Sequence, residues 1–398
     1  MKVAAVIAEF HPFHNGHAYL CHTLRESGYT HVVAIMSGNF VQRGECAVLE
    51  KMVRTRAALL CGVDLVLELP LPYALATAEI FACGGVASLS ALGCVDTLAF
   101  GSECGNAASL SACAQLLLSP EFGKALSKHL ALGMSFASAR QKAVADLAGL
   151  ETASLLSQPN NILGIEYCKQ LLSQNSKMRP VSPLRAGTEH DSKHPSGSFA
   201  SASYLRGFLS QGEVDALAGF VPEEAFSLYQ QALKDSLMPI SQEAAELLTL
   251  GQLRRMSTEE LARLPDISEG LEYRIEQAVR AATTLDGLYS LVKTKRYSHA
   301  RIRRIVLSAL AGLTREDGKI PPPYLRVLGM NGKGKEILAA ARKTCALPLS
   351  TSLAKLRESS PQAARFARLE ATADDLYNLC LPLRRQCGTD YTENAVIL

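Results

Sequence analysis

Along the first hundred positions, short unbroken apolar runs alternate with longer stretches of helical periodicity. Val3-Ala-Ala-Val-Ile-Ala8 predicts a strand buried on both faces, and Ala18, Leu20, Cys21 and Leu24 then share one face of a helix. His31–Met36 predicts a second strand ending at Ser37-Gly38-Asn39, and Lys51–Cys61 a helix. Asp64–Leu69 predicts a third strand stopped by Pro70 and Pro72, Thr77–Leu92 a helix, and Thr97–Phe100 a fourth strand stopped at Gly101-Ser102. This alternation implies βαβ units on a parallel sheet, with the loops that follow the strands gathered along one edge. From Ser111 to Leu156 the pattern is mostly helical, Pro159-Asn-Asn-Ile opens a helix through Leu172, and Pro180–Ser198 is irregular. After Gly212, helices are predicted over Pro222–Leu237, Glu243–Leu250, Thr258–Leu264, Leu271–Thr284 and Ala300–Leu313, with no return of strands. The reading is α/β over residues 1–212 and all-α over residues 213–398.

Composition narrows this only slightly. The 398 residues carry 41 Lys and Arg against 38 Asp and Glu, a formal net charge of +3, with 48% apolar and 20% charged residues. That is an ordinary globular balance, which excludes disordered, collagen-like and coiled-coil chains. A charge so small does not argue for a nucleic-acid partner, although a sum can hide a local basic patch. The eleven cysteines include no Cys-x-x-Cys pair, and fit small buried hydrophobes in a reducing compartment. MKVAAVIAEF is too short for a signal peptide, and no window reaches the ~18 apolar residues of a membrane span. A cytoplasmic protein without a membrane partner is expected.

Chemistry concentrates in the loop after the first strand, Glu9-Phe-His-Pro-Phe-His-Asn-Gly-His17. His14 and His17 stand three residues apart at the start of the first helix. A helix N-terminus offers unpaired N–H donors and the positive end of a dipole, both suited to phosphate. Gly16 leaves room for close backbone approach, and two histidines on the first turn can stabilise charge developing on one phosphate. Zinc would need further ligands, and only His11 and Cys21 lie near in sequence, so no metal site is assigned.

His-x-Gly-His in this position resembles the signature of the nucleotidyltransferase superfamily, which holds ATP for attack at its α-phosphate. A second motif of that superfamily, a Ser/Thr cluster followed by x-x-Arg, is matched by Ser201, Ser203 and Arg206 within Ser198–Arg206. Longer strings sharpen the likeness: Met36-Ser-Gly-Asn-Phe-Val-Gln-Arg-Gly-Glu45, Phe100-Gly-Ser-Glu103, Pro159-Asn-Asn-Ile-Leu-Gly-Ile-Glu-Tyr167, Lys293–Tyr297 and Tyr324–Gly329. With the histidine loop, these resemble the tRNA(Met) cytidine acetate ligase family of bacteria over the full chain. The resemblance implies a Rossmann-like nucleotidyltransferase domain. It also implies an enzyme that activates acetate with ATP as acetyl-adenylate and transfers the acetyl group to N4 of the wobble cytidine in the anticodon loop of elongator tRNA(Met). The ATP site it implies comprises Ile7, Ala8, Glu9, Phe10, His11, Pro12, Phe13, His14, Asn15, Gly16, His17, Ala18, Tyr19 and Leu20, with Gly101, Asn160, Asn161, Arg185 and Ala186. Asn161 is the preferred member of its pair. His14, His17 and Arg206 are the expected catalytic groups, Ser201 and Ser203 their partners at the leaving pyrophosphate, and Mg²⁺ is expected mainly on the phosphates. The acetate pocket stays open, Arg43 being one candidate. A small-molecule adenylyltransferase of the pantetheine-phosphate or nicotinamide-mononucleotide kind shares the histidine motif, but such enzymes lack an added helical half.

That half contains six Lys and Arg and no acid within Lys293–Arg304. Lys293, Lys295, Arg296, Arg301, Arg303 and Arg304 are expected to meet RNA phosphates, and Tyr297 to stack a base. Gly329-Met-Asn-Gly-Lys-Gly-Lys335 imitates part of a phosphate loop, but Glu336 stands where Ser or Thr is needed and no strand is predicted before it.

Overall fold

The structure, a computed structural model, describes residues 1–185, 195–268, 270–294 and 297–398. Ala186, Lys295 and Arg296, all expected site residues, lie outside the described residues. Its strands are β1 (Val3–Ala8), β2 (His31–Ser37), β3 (Phe40–Val41), β4 (Glu45–Cys46), β5 (Leu65–Leu69), β6 (Thr97–Ala99), β7 (Arg179–Val181), β8 (Leu325–Met330), β9 (Leu349–Ser350) and β10 (Val396–Ile397). The main sheet runs β10-β8-β5-β2-β1-β6-β7 with β9 beside β8, and β3–β4 form a separate hairpin. From β5 to β7 every pairing is parallel. The chain therefore reverses its direction of growth across the sheet beside β1, between β2 and β6, where open α/β sheets place their ligands.

The unbroken apolar runs have a direct cause, because both faces of this sheet are covered. Val3, Ala5, Ile7, Val33, Ile35, Leu65 and Leu67 point into one core, shared with the helices Ala78–Leu92 and Pro159–Ser173. Ala4, Val6, Val32, Ala34, Met36 and Val66 point into another, shared with α1 (Asn15–Glu26) and α2 (Lys51–Leu60). A two-residue period thus sorts each strand between two helical layers.

The helices expected after residue 212 are present, and Leu250–Ala309 has a core of its own. Contacts nevertheless extend across residue 212. Leu205 and Leu209 share their core with Val214, Leu217, Ala225 and Tyr229 as well as with β1 and β2, so packing runs across the expected boundary. The C-terminal segment also returns to the sheet: β8 pairs antiparallel to β5, and β10 parallel to β8. A strand therefore does precede Gly332. It was hidden because Arg326 interrupts its apolar run, although all six residues of β8 are buried. Arg326 is tolerated there because Asp390 accepts from both of its terminal nitrogens at 2.8 Å and Glu68 from one at 2.9 Å. The phosphate-loop likeness remains a packing feature. Asn331 caps the following helix by accepting from the Gly334 amide at 3.0 Å, and a Cβ on Gly334 would lie 2.1 Å from the Asp64 carbonyl oxygen.

Candidate active site

The loop between β1 and α1 turns sharply, with Phe10 at φ +46°, and packs its ring against Phe13 and His17 with centroids 5.0 and 5.1 Å away. His14 is the N-cap of α1. Its Nδ1 accepts from the Gly16 amide at 3.0 Å, while the His14 amide donates to His17 Nδ1 at 3.2 Å. This is a capping box built from two histidines, and it stacks their rings 3.9 Å apart. Gly16 is required by this arrangement, since a Cβ there would sit 2.8 Å from His14 Cε1. The constraint is the histidine ring itself.

The caps fix the chemistry of both rings. With Nδ1 accepting, a neutral imidazole carries its proton on Nε2. Burial, reinforced by Arg185 and Arg206, lowers the pKa of His14 to about 3, and burial with His14 and Arg185 holds His17 well below the ordinary histidine range. Each ring is thus a neutral N–H donor at the helix N-terminus. His11 is also neutral, held well below its usual range by burial and by Arg206, Arg54 and Arg43, and its Nε2 accepts from the Val48 amide at 2.8 Å.

A cleft opens over this turn. It is lined by Ile7, Ala8, Phe10, His14, Gly16, His17, Tyr19 and Leu20 on one side, and by Phe100, Gly101, Asn160, Tyr167, Leu184 and Arg185 on the other. The sequence-predicted groups from β1, β6 and the Pro159–Ser173 helix therefore meet. Asn160 Oδ1 accepts from Arg185 at 3.0 Å. Gly101 makes room for that arginine, because a Cβ there would lie 2.9 Å from Arg185 Cγ.

Some expected members stand elsewhere. Asn161, the preferred one of its pair, is 3% exposed and accepts from the Cys104 amide, so Asn160 is the one facing the cleft. Asn15 turns its amide to the Ser198 and Gly219 carbonyls. Phe13 is buried, its amide donating to the Tyr229 hydroxyl. Ser201 caps the Ala202–Leu209 helix and lies 3.1 Å from Ser203 through their hydroxyls. Arg206, one turn on, donates to the His11 carbonyl at 3.1 Å and pairs with Glu45 at 3.3 Å, which places the second motif against the back of the histidine loop.

Two further groups were given no role from the sequence. Glu103 accepts from the Asn160 amide and side chain and from the Asn161 amide at 2.7–3.1 Å, anchoring the helix that presents Asn160. Burial raises its pKa, but these hydrogen bonds outweigh that and leave it below the usual carboxylate value. Arg54, fully buried on α2, donates to the carbonyls of Glu9, Ser37, Gly38 and Leu49, tying the ends of β1 and β2 together.

The basic segment is less open than its composition implied. Tyr297, expected to stack a base, is 7% exposed and packs within the helical core. Arg301 lies over its ring and donates to the Asp266 carbonyl and the Ser268 hydroxyl. Arg304 pairs with Asp266 at 3.5 Å, Arg303 lies over Tyr289, and the backbone of both packs against Gly44 in the β3–β4 turn. Lys293 is exposed.

Among the described residues no group of three or more His, Cys, Asp or Glu side chains is placed to hold a metal. No helix among them is long and apolar enough to cross a membrane. A model of the HIGH Nucleotidyl Transferase family matches residues 1–391. A protein of Acetivibrio thermocellus named tRNA(Met) cytidine acetate ligase is 36% identical over the whole of both chains. One of the same name from Caldanaerobacter subterraneus subsp. tengcongensis is 38% identical over 95% of each. Among solved structures, Thermotoga maritima TmcAL superposes with a TM-score of 0.94 in its apo form and 0.93 bound to alpha-thio ATP, at 32% and 31% identity, each over the full length of both chains.

Proposed function

The chain belongs to the HIGH nucleotidyl transferase family and, within it, to the tRNA(Met) cytidine acetate ligases, and we propose that it joins acetate to tRNA(Met) in two steps at this cleft. It is an ATP-dependent ligase. ATP lies with its α-phosphate over the N-terminus of α1 and its adenosine toward Gly101, Asn160 and Arg185. Acetate is already an anion, so its attack on the α-phosphate needs no base and depends on alignment and charge neutralisation. The Nε2–H groups of His14 and His17 donate hydrogen bonds to the charge developing on the α-phosphate, and Arg206 and Mg²⁺ supply the positive charge. Arg206, with Ser201 and Ser203, takes the leaving pyrophosphate, and Mg²⁺ would arrive mainly on the triphosphate.

The resulting acetyl-adenylate is a mixed anhydride that the apolar walls protect from water. The wobble cytidine of the anticodon loop enters the cleft, which costs little for a single-stranded base. Its N4 takes the acetyl group and AMP leaves. Lys293, with Lys295 and Arg296 beside it, contacts tRNA phosphates. The observation that carries this reading is the histidine capping box, two neutral donors locked at a helix N-terminus and lining the cleft. The experiment is incubation with ATP, labelled acetate and unmodified elongator tRNA(Met). Label in N4-acetylcytidine at the wobble position is expected, whereas label-free tRNA beside a nucleotide-coupled small molecule would contradict the reading.

A further inference from the structure

Transfer to cytidine differs from acetate activation in one respect: the attacking N4 amine carries protons, and one must leave. The three histidines of the loop cannot take it. His14 and His17 each use Nδ1, and His11 its Nε2, to accept a backbone amide, and all three are held neutral by burial. A neutral imidazole has one lone pair in its ring plane, and here each is occupied. The carboxylates nearby are mostly committed as well. Glu103 holds the N-terminus of the Pro159–Ser173 helix and Glu45 pairs with Arg206.

Glu9 differs. It follows β1 directly, between Ala8 and Phe10, which both line the cleft. Its main-chain carbonyl is held by Arg54 at 2.6 Å, and its Oε1 accepts from the Gln42 amide at 2.6 Å, so the side chain is fixed. Among the described residues Oε2 accepts no hydrogen bond, and the residue is only partly buried. Asn160 and Arg185, the groups assigned above to adenosine, lie on the β6–β7 side of β1, whereas Glu9 meets the loop after β2 on the other side.

Resting on the reading above, we propose that the Glu9 carboxylate is the general base of acetyl transfer. N4 forms its bond to the acetyl carbonyl carbon, the bond from that carbon to the AMP oxygen breaks, AMP leaves with the electron pair, and the N4 proton passes to Glu9 Oε2. The surroundings suit a base, because burial, aided by Glu45, raises the carboxyl pKa against the opposing hydrogen bond from Gln42 and the charges of Arg206 and Arg54. Tyr167, in the cleft wall, is also within reach of the Glu9 charge.

The test compares two rates in one preparation: acetate-dependent ATP–pyrophosphate exchange without tRNA, and single-turnover acetyl transfer to tRNA(Met). Glu9→Gln, whose carbonyl still accepts from Gln42, is expected to slow transfer by about 10²-fold or more and exchange by a far smaller factor. Glu9→Asp recovers part of the loss. The wild-type transfer rate rises with pH through one ionisation that Glu9→Gln lacks. Equal loss of both rates would assign Glu9 to nucleotide binding and overturn the proposal, as would unimpaired transfer in Glu9→Gln. A wild-type protein that exchanges with acetate yet never acetylates tRNA would instead remove the two-step reading beneath it.

Discussion

The histidine loop and the basic segment were both conspicuous in sequence, and the structure treats them oppositely. His14 and His17 occupy the N-cap and third positions of a helix fed by a buried strand, so backbone geometry alone brings their rings together over the cleft. Lys293–Arg304 is conspicuous only by charge count. Long cationic side chains serve water, RNA or the protein's own carbonyls equally well, and here Arg301 and Arg304 bind Asp266 while Tyr297 joins a core. A motif whose spacing fixes backbone geometry predicts position, whereas a run of charge predicts only composition.

The sharpest way to break this contrast is His17→Ala. It removes a transition-state donor and one side of the capping box, and is expected to lower acetate-dependent exchange by about 10²–10³-fold. A loss under tenfold would reduce the loop to a structural cap. Tyr297→Ala should instead act on stability, by about 3–5 kcal/mol in chemical denaturation, as for other buried aromatic truncations. A mutant of unchanged stability that loses tRNA affinity would restore Tyr297 to the RNA surface.

The neutral histidines also have a pH signature. His14 keeps a pKa of about 3 when folded against 6.5 when free, so between those values the unfolded chain binds a proton that the folded chain does not. Stability is therefore full above pH 6.5 and falls as pH drops toward 3. His14→Asn, which can still cap the helix, should make this limb of Tm against pH shallower, with His11 and His17 retaining the rest. A wild-type Tm that is constant from pH 6.5 to 4 would contradict the assigned protonation. Within the cleft, Asn160→Ala should raise KM for ATP about tenfold by releasing Arg185, and Asn161→Ala should leave KM nearer the wild-type value. The smallest effect is expected at Lys293: Lys293→Ala weakens tRNA binding a few-fold and reduces the salt slope by about one.

The order of strands and helices through residue 100 was legible because a strand covered on both faces admits almost no polar residue. The same rule hid β8, whose Arg326 is neutralised by Asp390, sixty-four residues later in sequence. Gly16 was legible as a necessary glycine and Gly101 as a strand stop, although the groups they admit, the His14 ring and the Arg185 stem, were not. The path from Glu103 through Asn160 to Arg185 joins three segments, and no local pattern in any one of them announces the others. That is also why Asn161 was preferred where Asn160 faces the cleft: adjacent helical residues point about 100° apart, and only packing decides between them.

The central claim is that two neutral histidine donors at one helix N-terminus activate acetate itself. ATP–pyrophosphate exchange measured with acetate as the sole added acceptor tests it directly. Exchange that depends on acetate, proceeds without tRNA and collapses in His17→Ala is predicted. Exchange that ignores acetate and requires a phosphorylated precursor such as phosphopantetheine or nicotinamide mononucleotide would contradict it.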